Sequence, residues 1–479
     1  MLTFFLSIGL LIVGYLIYSK VVERIFVIND QTTTPAYTNQ DGIDYSPMPW
    51  WKASLIQLLN IAGLGPIFGA VAGALYGPVA FIWIVLGCIF AGAVHDYFSG
   101  MMSLRHNGAQ FPSLVGRYLG QAMKMFINVV TIILMVLVAA AFTAGPAQLI
   151  SSLTPLSYTV ALIGIFIYFL IAAVLPINRI IGRIYPIFGA ILIFMAVSIA
   201  IALVATDQSI PNLTLENLHP GDLPIWPLLM VTISCGAISG FHSTQSPILA
   251  RTIKKESDGR KVFYGAMIAE GIIALIWAAA GMTFFGGTGG LQEALATGGP
   301  GGVVNEISVS LLGTLGGILA ILGVIILPIT TGDTALRSSR MMVTELFNKY
   351  FKVRGLKGIF LTTIPVTIPA FYLATIDYTF LWRYVGGTNQ LVATVMLWTG
   401  AIYLLQARRF HWICGIPALF MTAVVSTYFL YAPEGLALSY NLSLLIGAII
   451  TTIVALWYVV KIKKSKQRFI ENENVDHVA

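Results

Sequence analysis

The sequence predicts an all-α polytopic membrane protein, and three observations carry that expectation. The 479 residues are 57 % hydrophobic and 10 % charged, against roughly 45–50 % apolar and 25 % charged in a soluble domain. Thirteen runs approach the roughly 20 apolar residues that cross a hydrocarbon core, near 2–19, 55–74, 78–103, 125–150, 157–175, 184–205, 226–247, 262–285, 303–331, 358–376, 386–405, 412–431 and 438–460. Lys and Arg are sorted to alternate connections. With the N-terminus outside, segments 20–54, 104–124, 176–183, 248–261, 332–357, 406–411 and the tail from Lys461 face inward, and they hold 26 of the 27 basic residues. Only Arg383 falls elsewhere, as expected if basic residues are retained in the cytoplasm. Asp207, Glu216, Asp222, Glu293, Asp377 and Glu434 lie in the outer loops.

The first run opens with Met1, Leu2 and Thr3 and runs into Lys20, with no basic n-region and no small-residue cleavage site. It reads as a retained span. Connection 20–54 is rich in Asn, Asp, Gly and Pro, which argue against a helix through most of it; its place before the second run allows two readings, packing beneath a transport core or a solvated linker. The second run, "LLNIAGLGPIFGAVAGALYG", breaks its own helix at Gly63, Gly65 and Pro66, with Asn60 one turn earlier. In hydrocarbon such a break persists only where protein, water or ligand satisfies the freed backbone groups. Pro66 suits the first turn of a new half-helix. The carbonyl end of one half then attracts cations and the amide end of the next attracts anions.

The third run carries His95 and Asp96 about 10 Å from its inner end at 1.5 Å per residue. As neighbours on a helix they point about 100° apart and are not expected to face one another. The seventh run repeats the interruption in "CGAISGFHSTQSP", with Gly236 and Gly240 followed by His242, Ser243 and Thr244. Runs two and seven have opposite orientation. Paired broken helices in opposed five-helix units are the signature of an inverted-repeat transporter, with spans 2–6 (55–205) and 7–11 (226–405) as repeats. Residues 1–54 precede them; two accessory spans (412–460) and a basic tail (461–479) follow. Glu270 lies in the eighth run. Intramembrane His95, Asp96, His242 and Glu270 are functional candidates because ionisable groups are costly there.

Segment 286–302 reads as a flexible loop around a short helix. The ninth run ends in "LPITTGDTALRSSR", where Thr330, Thr331 and Asp333 offer oxygens to a hard cation, or Asp333 caps the helix and pairs with Arg337 four residues on. A sodium site would combine carbonyls of Ala62 and Gly63 with the hydroxyls of Thr330 and Thr331. Cys88, Cys235 and Cys414 all lie within runs and read as packing residues. The tail KIKKSKQR reads as a stop signal at an anionic leaflet and not as a nucleic-acid site. No P-loop is present, which argues against an ATP-driven pump.

The blocks "TPAYTNQDGIDYSP", "IAGLGPIFG", "GAVHDYFSGMMSLRHNG", "CGAISGFHST" and "GDTALRSSR" occur in that order from Thr34 to Arg340. They resemble the carbon starvation protein A (CstA) family of bacterial membrane transporters. The resemblance implies a cytoplasmic-membrane protein of the starvation response, importing peptides or pyruvate with a cation, H⁺ or Na⁺, on a LeuT-like fold. It implies no enzyme activity and no cofactor. This chain is shorter than the larger members, and Ile56 and Gln57 stand where a histidine pair is expected, so that pair's role is not carried over. The expected substrate site combines Asn60, Gly63, Gly65, Pro66, Gly240, His242, Ser243 and Thr244. His95, Asp96, Glu270, Thr330, Thr331, Asp333 and Arg337 are assigned to coupling or gating. Two competing readings are an intramembrane aspartyl protease using Asp96 and Asp333, since "TTGDT" loosely resembles a protease motif, and a channel.

Overall fold

A helix that is apolar on every side can be stable only inside a protein or in lipid, and this chain uses both settings. The computed structural model describes residues 1–42, 44–174, 185–206, 209–347, 355–376 and 378–476. The basic connection at 176–183, Asp207 and Asp377 lie outside them. Among the described residues, eight helices are long and apolar enough to cross a membrane: Leu2–Phe26, Val79–Arg105, Gln121–Ser151, Tyr185–Ala205, Glu256–Phe284, Phe380–Gln406, Trp412–Tyr431 and Tyr440–Ser465. A ninth is a bent pair, Trp50–Ala62 with Gly65–Tyr76, angled at 55°. The remaining apolar runs are helical but short or interrupted: Tyr158–Ala172, Gly358–Leu373, Ile225–Thr232 followed by His242–Ala250, and part of Thr288–Phe347.

Position in the bundle follows burial. Leu2–Phe26 and Tyr440–Ser465 turn Leu6, Ile17, Leu445 and Ile453 outward, as lipid-facing helices do. Val79–Arg105, Glu256–Phe284 and Phe380–Gln406 are mostly buried and form the centre. Within Val79–Arg105 a π-helical stretch, Gly87–Gly92, precedes His95 and Asp96. Such bulges widen a helix and re-aim the side chains that follow.

The expected short helix in segment 286–302 is present: after Gly286 and Gly287, both at positive φ, the chain is helical from Thr288 to an interruption at Gly299 with φ +62°, beyond which helix resumes directly. One expectation is corrected here: the helix carrying the ninth run does not end near Asp333 but continues to Phe347. Asp333 therefore sits in a helix interior and caps nothing.

Connection 20–54 is helical only to Phe26, over Pro35–Thr38 and from Trp50, and it is fastened to the Lys/Arg-rich end of the bundle. Arg105 makes a forked pair with Glu256, Nε to Oε1 at 2.9 Å and Nη2 to Oε2 at 2.8 Å, and also donates to Val27 O. Glu256 accepts the Asn29 N–H at 2.7 Å as well. Thr34 donates to Ile253 O at 2.6 Å, Met48 N–H to Thr252 O at 3.0 Å and Tyr45 OH to Asn107 O at 2.8 Å. The segment is thus a docked strap across the ends of the third and seventh runs.

Candidate substrate and coupling site

The two broken spans meet break to break. Trp50–Ala62 stops at Gly63, whose φ of +43° is strained for any residue with a Cβ, and the chain resumes at Gly65 with Pro66 in the first turn. A Cβ on Gly65 would lie 2.2 Å from the Cβ of Cys235, inside the second break. Ile225–Thr232 ends there, Gly236 turns with φ +93°, and His242 starts the next half-helix. The backbone groups freed by this second break are claimed by neighbours. Trp83 Nε1 donates to Ile233 O at 2.9 Å, Gln390 Nε2 donates to Met230 O at 2.8 Å, and Asn389 Oδ1 accepts the Phe241 N–H at 2.6 Å. Gly240 lets this clamp close, because a Cβ there would stand 2.2 Å from Asn389 O. Carrying the break this way meets the requirement that no backbone polar group be left bare in an apolar medium.

Against the break lies a fully buried ionisable cluster. Asp96 bridges two imidazoles, with Oδ1 at 2.8 Å from His95 Nδ1 and Oδ2 at 2.9 Å from His242 Nδ1. An ionised carboxylate only accepts, so both Nδ1 atoms donate. His95 and Asp96 were expected to point apart; their Cβ directions diverge, but the side chains are long enough for the ring and the carboxyl to meet. His242 Nε2 then faces Glu270 Oε2 at 3.5 Å, too far for a good hydrogen bond. Neither that nitrogen nor either Glu270 oxygen has a hydrogen-bond partner among the described residues. All four side chains are 0 % exposed, so their charges must balance within the group. Donor atoms of Cys235, His242 and Glu270 lie within 4.8 Å of one another. We read them as part of this charge-balanced group and not as a metal centre, since Cys235 donates to Ser239 Oγ at 3.4 Å and His242 already faces two carboxylates.

Toward the Lys/Arg-rich end, Trp50–Ala62 and His242–Ala250 meet further polar groups. Gln57 Nε2 donates to Ser246 Oγ at 3.3 Å, joining Trp50–Ala62 to His242–Ala250; Ile56 is buried. Thr244 Oγ1 donates back to Phe241 O and lies 3.2 Å from Met135 Sδ, and its carbonyl accepts Ser338 Oγ–H at 2.8 Å. Ser243 Oγ caps Gly240 O at 2.7 Å. Asn60 is 0 % exposed, and neither its oxygen nor its nitrogen has a partner among the described residues. The Gln57, Gln245 and Ser339 side chains each carry an unpartnered oxygen too. Buried unsatisfied groups are costly and call for an explanation. Ordered water or a polar ligand between the broken spans would supply one.

Thr331 Oγ1 reaches across to Leu59 O at 3.3 Å, one turn before the first break, while also bonding Leu327 O at 3.0 Å. Thr330 turns its hydroxyl to Leu327 O at 2.8 Å, within its own helix. Asp333 accepts the Tyr185 OH at 2.8 Å. Arg337 donates to Ala172 O at 2.7 Å and lies 3.7 Å from Asp44 of the strap. The protease reading fails on this geometry: paired catalytic aspartates share a proton at contact distance, whereas Asp96 sits between two histidines and Asp333 on a tyrosine. The residues that sequence reasoning missed are Asn389, Gln390, Trp83, Asp44 and Arg340. An Asn-Gln pair inside an apolar run was the available signal for the first two.

Comparison with known proteins places these features. An uncharacterized membrane protein of Haemophilus influenzae is 47 % identical over 352 residues, 62 % of this chain and 95 % of that protein. The peptide transporter CstA of Bacillus subtilis is 24 % identical, with 88 % of each chain covered. The pyruvate/proton symporter BtsT of Escherichia coli is 24 % identical over 56 % of this chain, which spans only 47 % of that longer protein. Among solved structures, a Na⁺-coupled sialic acid symporter in an outward-open state superposes with a TM-score of 0.52 over 94 % of this chain and 96 % of its own, at 13 % identity. That likeness concerns the all-helical fold alone. The two named relatives, CstA and BtsT, and the solved neighbour are transporters and not enzymes. The model of the family described as carbon starvation protein CstA matches residues 1–163, 145–285 and 276–428, so the chain belongs to that family.

Proposed function

We propose that the protein is a cation-coupled secondary transporter of the bacterial cytoplasmic membrane, importing peptides or a small carboxylate such as pyruvate during carbon starvation. The observation that carries this reading is the sealed His95–Asp96–His242–Glu270 cluster set against two meeting helix breaks. In the thirteen-span, five-plus-five arrangement, with the N-terminus outside and the C-terminus cytoplasmic, His95 and Asp96 lie on the second helix of one repeat and Glu270 on the second of the other. Both helices converge on His242 in a broken helix, a natural place for ion and substrate to meet.

The coupled proton sits between His242 Nε2 and Glu270 Oε2. With it bound to the imidazole, cation and carboxylate attract across 3.5 Å, by about 5 kcal/mol at an effective dielectric of about 20, before desolvation. Without it, the ring lone pair faces the carboxylate and that attraction is gone. Loss of that attraction biases the two-state equilibrium, tempered by desolvation, so proton loss releases the half-helix beginning at His242 and re-exposes the site. Sodium is the second coupling candidate, held by the carbonyl end of Trp50–Ala62 and Thr331, because Thr331 alone of the threonine pair reaches that end.

The experiment is uptake into reconstituted vesicles with pyruvate and dialanine under imposed pH or Na⁺ gradients. Asp96→Asn and Glu270→Gln should abolish pH-driven accumulation while leaving counterflow exchange, which also separates a carrier from a channel. Full accumulation by both variants under a pH gradient alone would dismiss the proton role.

A further inference from the structure

The helix Thr288–Phe347 carries Arg337 and Arg340 about one turn apart, 3 % and 8 % exposed, and Arg251, just past the second broken span, is 8 % exposed. A buried cation is costly unless it is paired and hydrogen-bonded. Arg251 is provided for: Nε and Nη2 donate to Gly108 O at 3.0 and 2.8 Å, and its guanidinium stands 5.0 Å over the Tyr45 ring. Arg337 has Ala172 O and Asp44. Arg340 differs from both. Its Nε is buried without a hydrogen-bond partner, and its guanidinium pairs with no carboxylate of the described residues.

The charges acting on Arg340 are Asp44 and Asp333 against Arg337 and Arg251, and Asp333 is already engaged by Tyr185. Two carboxylates and two further arginines therefore act on Arg340, and neither carboxylate is within ion-pair distance of it. Asp44 holds its place weakly: its Oδ1 lies 3.7 Å from Arg337 and accepts no hydrogen bond. The location is also on the ligand's way, because the next residue after Arg337 is Ser338, bonded to Thr244 O between the broken spans. Ser339 beside it has a buried, unpartnered hydroxyl.

We propose that Arg340 and Arg337 form a carboxylate-binding site between the broken spans and the Lys/Arg-rich face, in which Asp44 of the strap stands in for the substrate's carboxylate. The proposal rests on the transporter reading and adds to it the recognised group, whether the carboxylate of a small acid or the C-terminus of a peptide. A guanidinium fork suits a carboxylate bidentately. An arriving carboxylate pairs with Arg340, displaces Asp44 from Arg337 and thereby frees the strap segment that carries it.

The test uses the full-length protein in vesicles, with pyruvate, dialanine and dialanine amide as probes. Wild type should prefer dialanine to its amide at least tenfold if peptides are the source of the carboxylate, and pyruvate should saturate uptake if small acids are. Arg340→Gln should raise the KM for the acid probe at least tenfold and erase the acid-over-amide preference. Arg340→Lys should retain part of both. Asp44→Asn removes the internal competitor and should lower KM severalfold, so it decides the matter if Arg340→Gln does not fold. An Arg340→Gln variant that keeps the wild-type KM and preference, or an Asp44→Asn variant with unchanged or raised KM, overturns the site. Uptake of none of the three probes by wild type would instead refute the transporter reading. Shifts in the unfolding midpoint of purified protein with pyruvate, dialanine and its amide would then judge the site alone, and no acid-dependent shift would overturn it.

Discussion

Replacing Gly65 with alanine tests whether the two breaks must touch. The new Cβ would stand 2.2 Å from Cys235 Cβ and 2.3 Å from its Sγ, whereas unstrained carbon contacts lie at about 3.5–4.0 Å. Either break must retreat by about 1.3 Å or more, and the second is clamped by Trp83, Asn389 and Gln390. Overpacking of this kind costs about 1–3 kcal/mol, and the clamp places Gly65→Ala toward the upper end. At about 1.4 kcal/mol per tenfold, that disfavours the closed contact by roughly a hundredfold. Uptake by vesicles should fall and the unfolding midpoint drop. Cys235→Gly removes both clashing atoms and leaves the Cys235 Cα at an ordinary 3.7 Å, so the double variant should recover, with a coupling energy of about 1–3 kcal/mol. Gly9→Ala, where a Cβ meets nothing within 4 Å, is the control. A Gly65→Ala protein as active and stable as wild type, or a double variant no better than the single one, would refute the reasoning.

Three further outcomes are expected. If sodium couples transport, Thr331→Ala should remove Na⁺ stimulation of uptake while Thr330→Ala largely keeps it, because only Thr331 touches the end of the first half-helix; equal losses, or a wild type indifferent to Na⁺, would count against that site. Arg105→Ala leaves Glu256, only 2 % exposed, without its forked partner at a cost of about 2 kcal/mol, tempered by the partial exposure of Arg105, so limited proteolysis within residues 27–49 should accelerate severalfold. The strap should also loosen in acid: burial pushes the Asp30 carboxyl up, but the Ser257 N–H at 2.9 Å, with Lys255 and Lys261 nearby, outweighs it and holds it below the ordinary value. A depressed carboxylate lends stability above its unfolded pKa, about 3.9, and loses it as pH falls through the folded value. Cleavage of the strap by an acid-active protease that is no faster at pH 3 than at pH 5 would contradict this.

Much of the molecule was legible in short segments, because hydrophobic run length and backbone conformation are local properties. The apolar runs, the interruptions at Gly63–Pro66 and around Gly236, and the buried ionisable residues His95, Asp96, His242 and Glu270 all follow from residues read a turn or two at a time. Glycine supplies positive φ, proline starts a half-helix, and a charge inside an apolar run must have a purpose wherever the chain goes. The docking of the strap was partly foreseeable from its place in the chain. Its fastenings on Glu256, Ile253 and Thr252 were not.

The partnerships were decided by tertiary structure. Asp96 reaches His242 across 146 residues, and Asn389 and Gln390 clamp a break roughly 150 to 160 residues before them. Local rules misjudged Asp333 for the same reason. Its spacing from Arg337 is that of a helix salt bridge, but packing brought Tyr185 to the aspartate and Asp44 to the arginine. A span's composition says that a polar group must be satisfied in an apolar surrounding, while only the packed bundle says by whom, since a hydrogen bond is made or lost over less than an ångström and helix contacts set that distance.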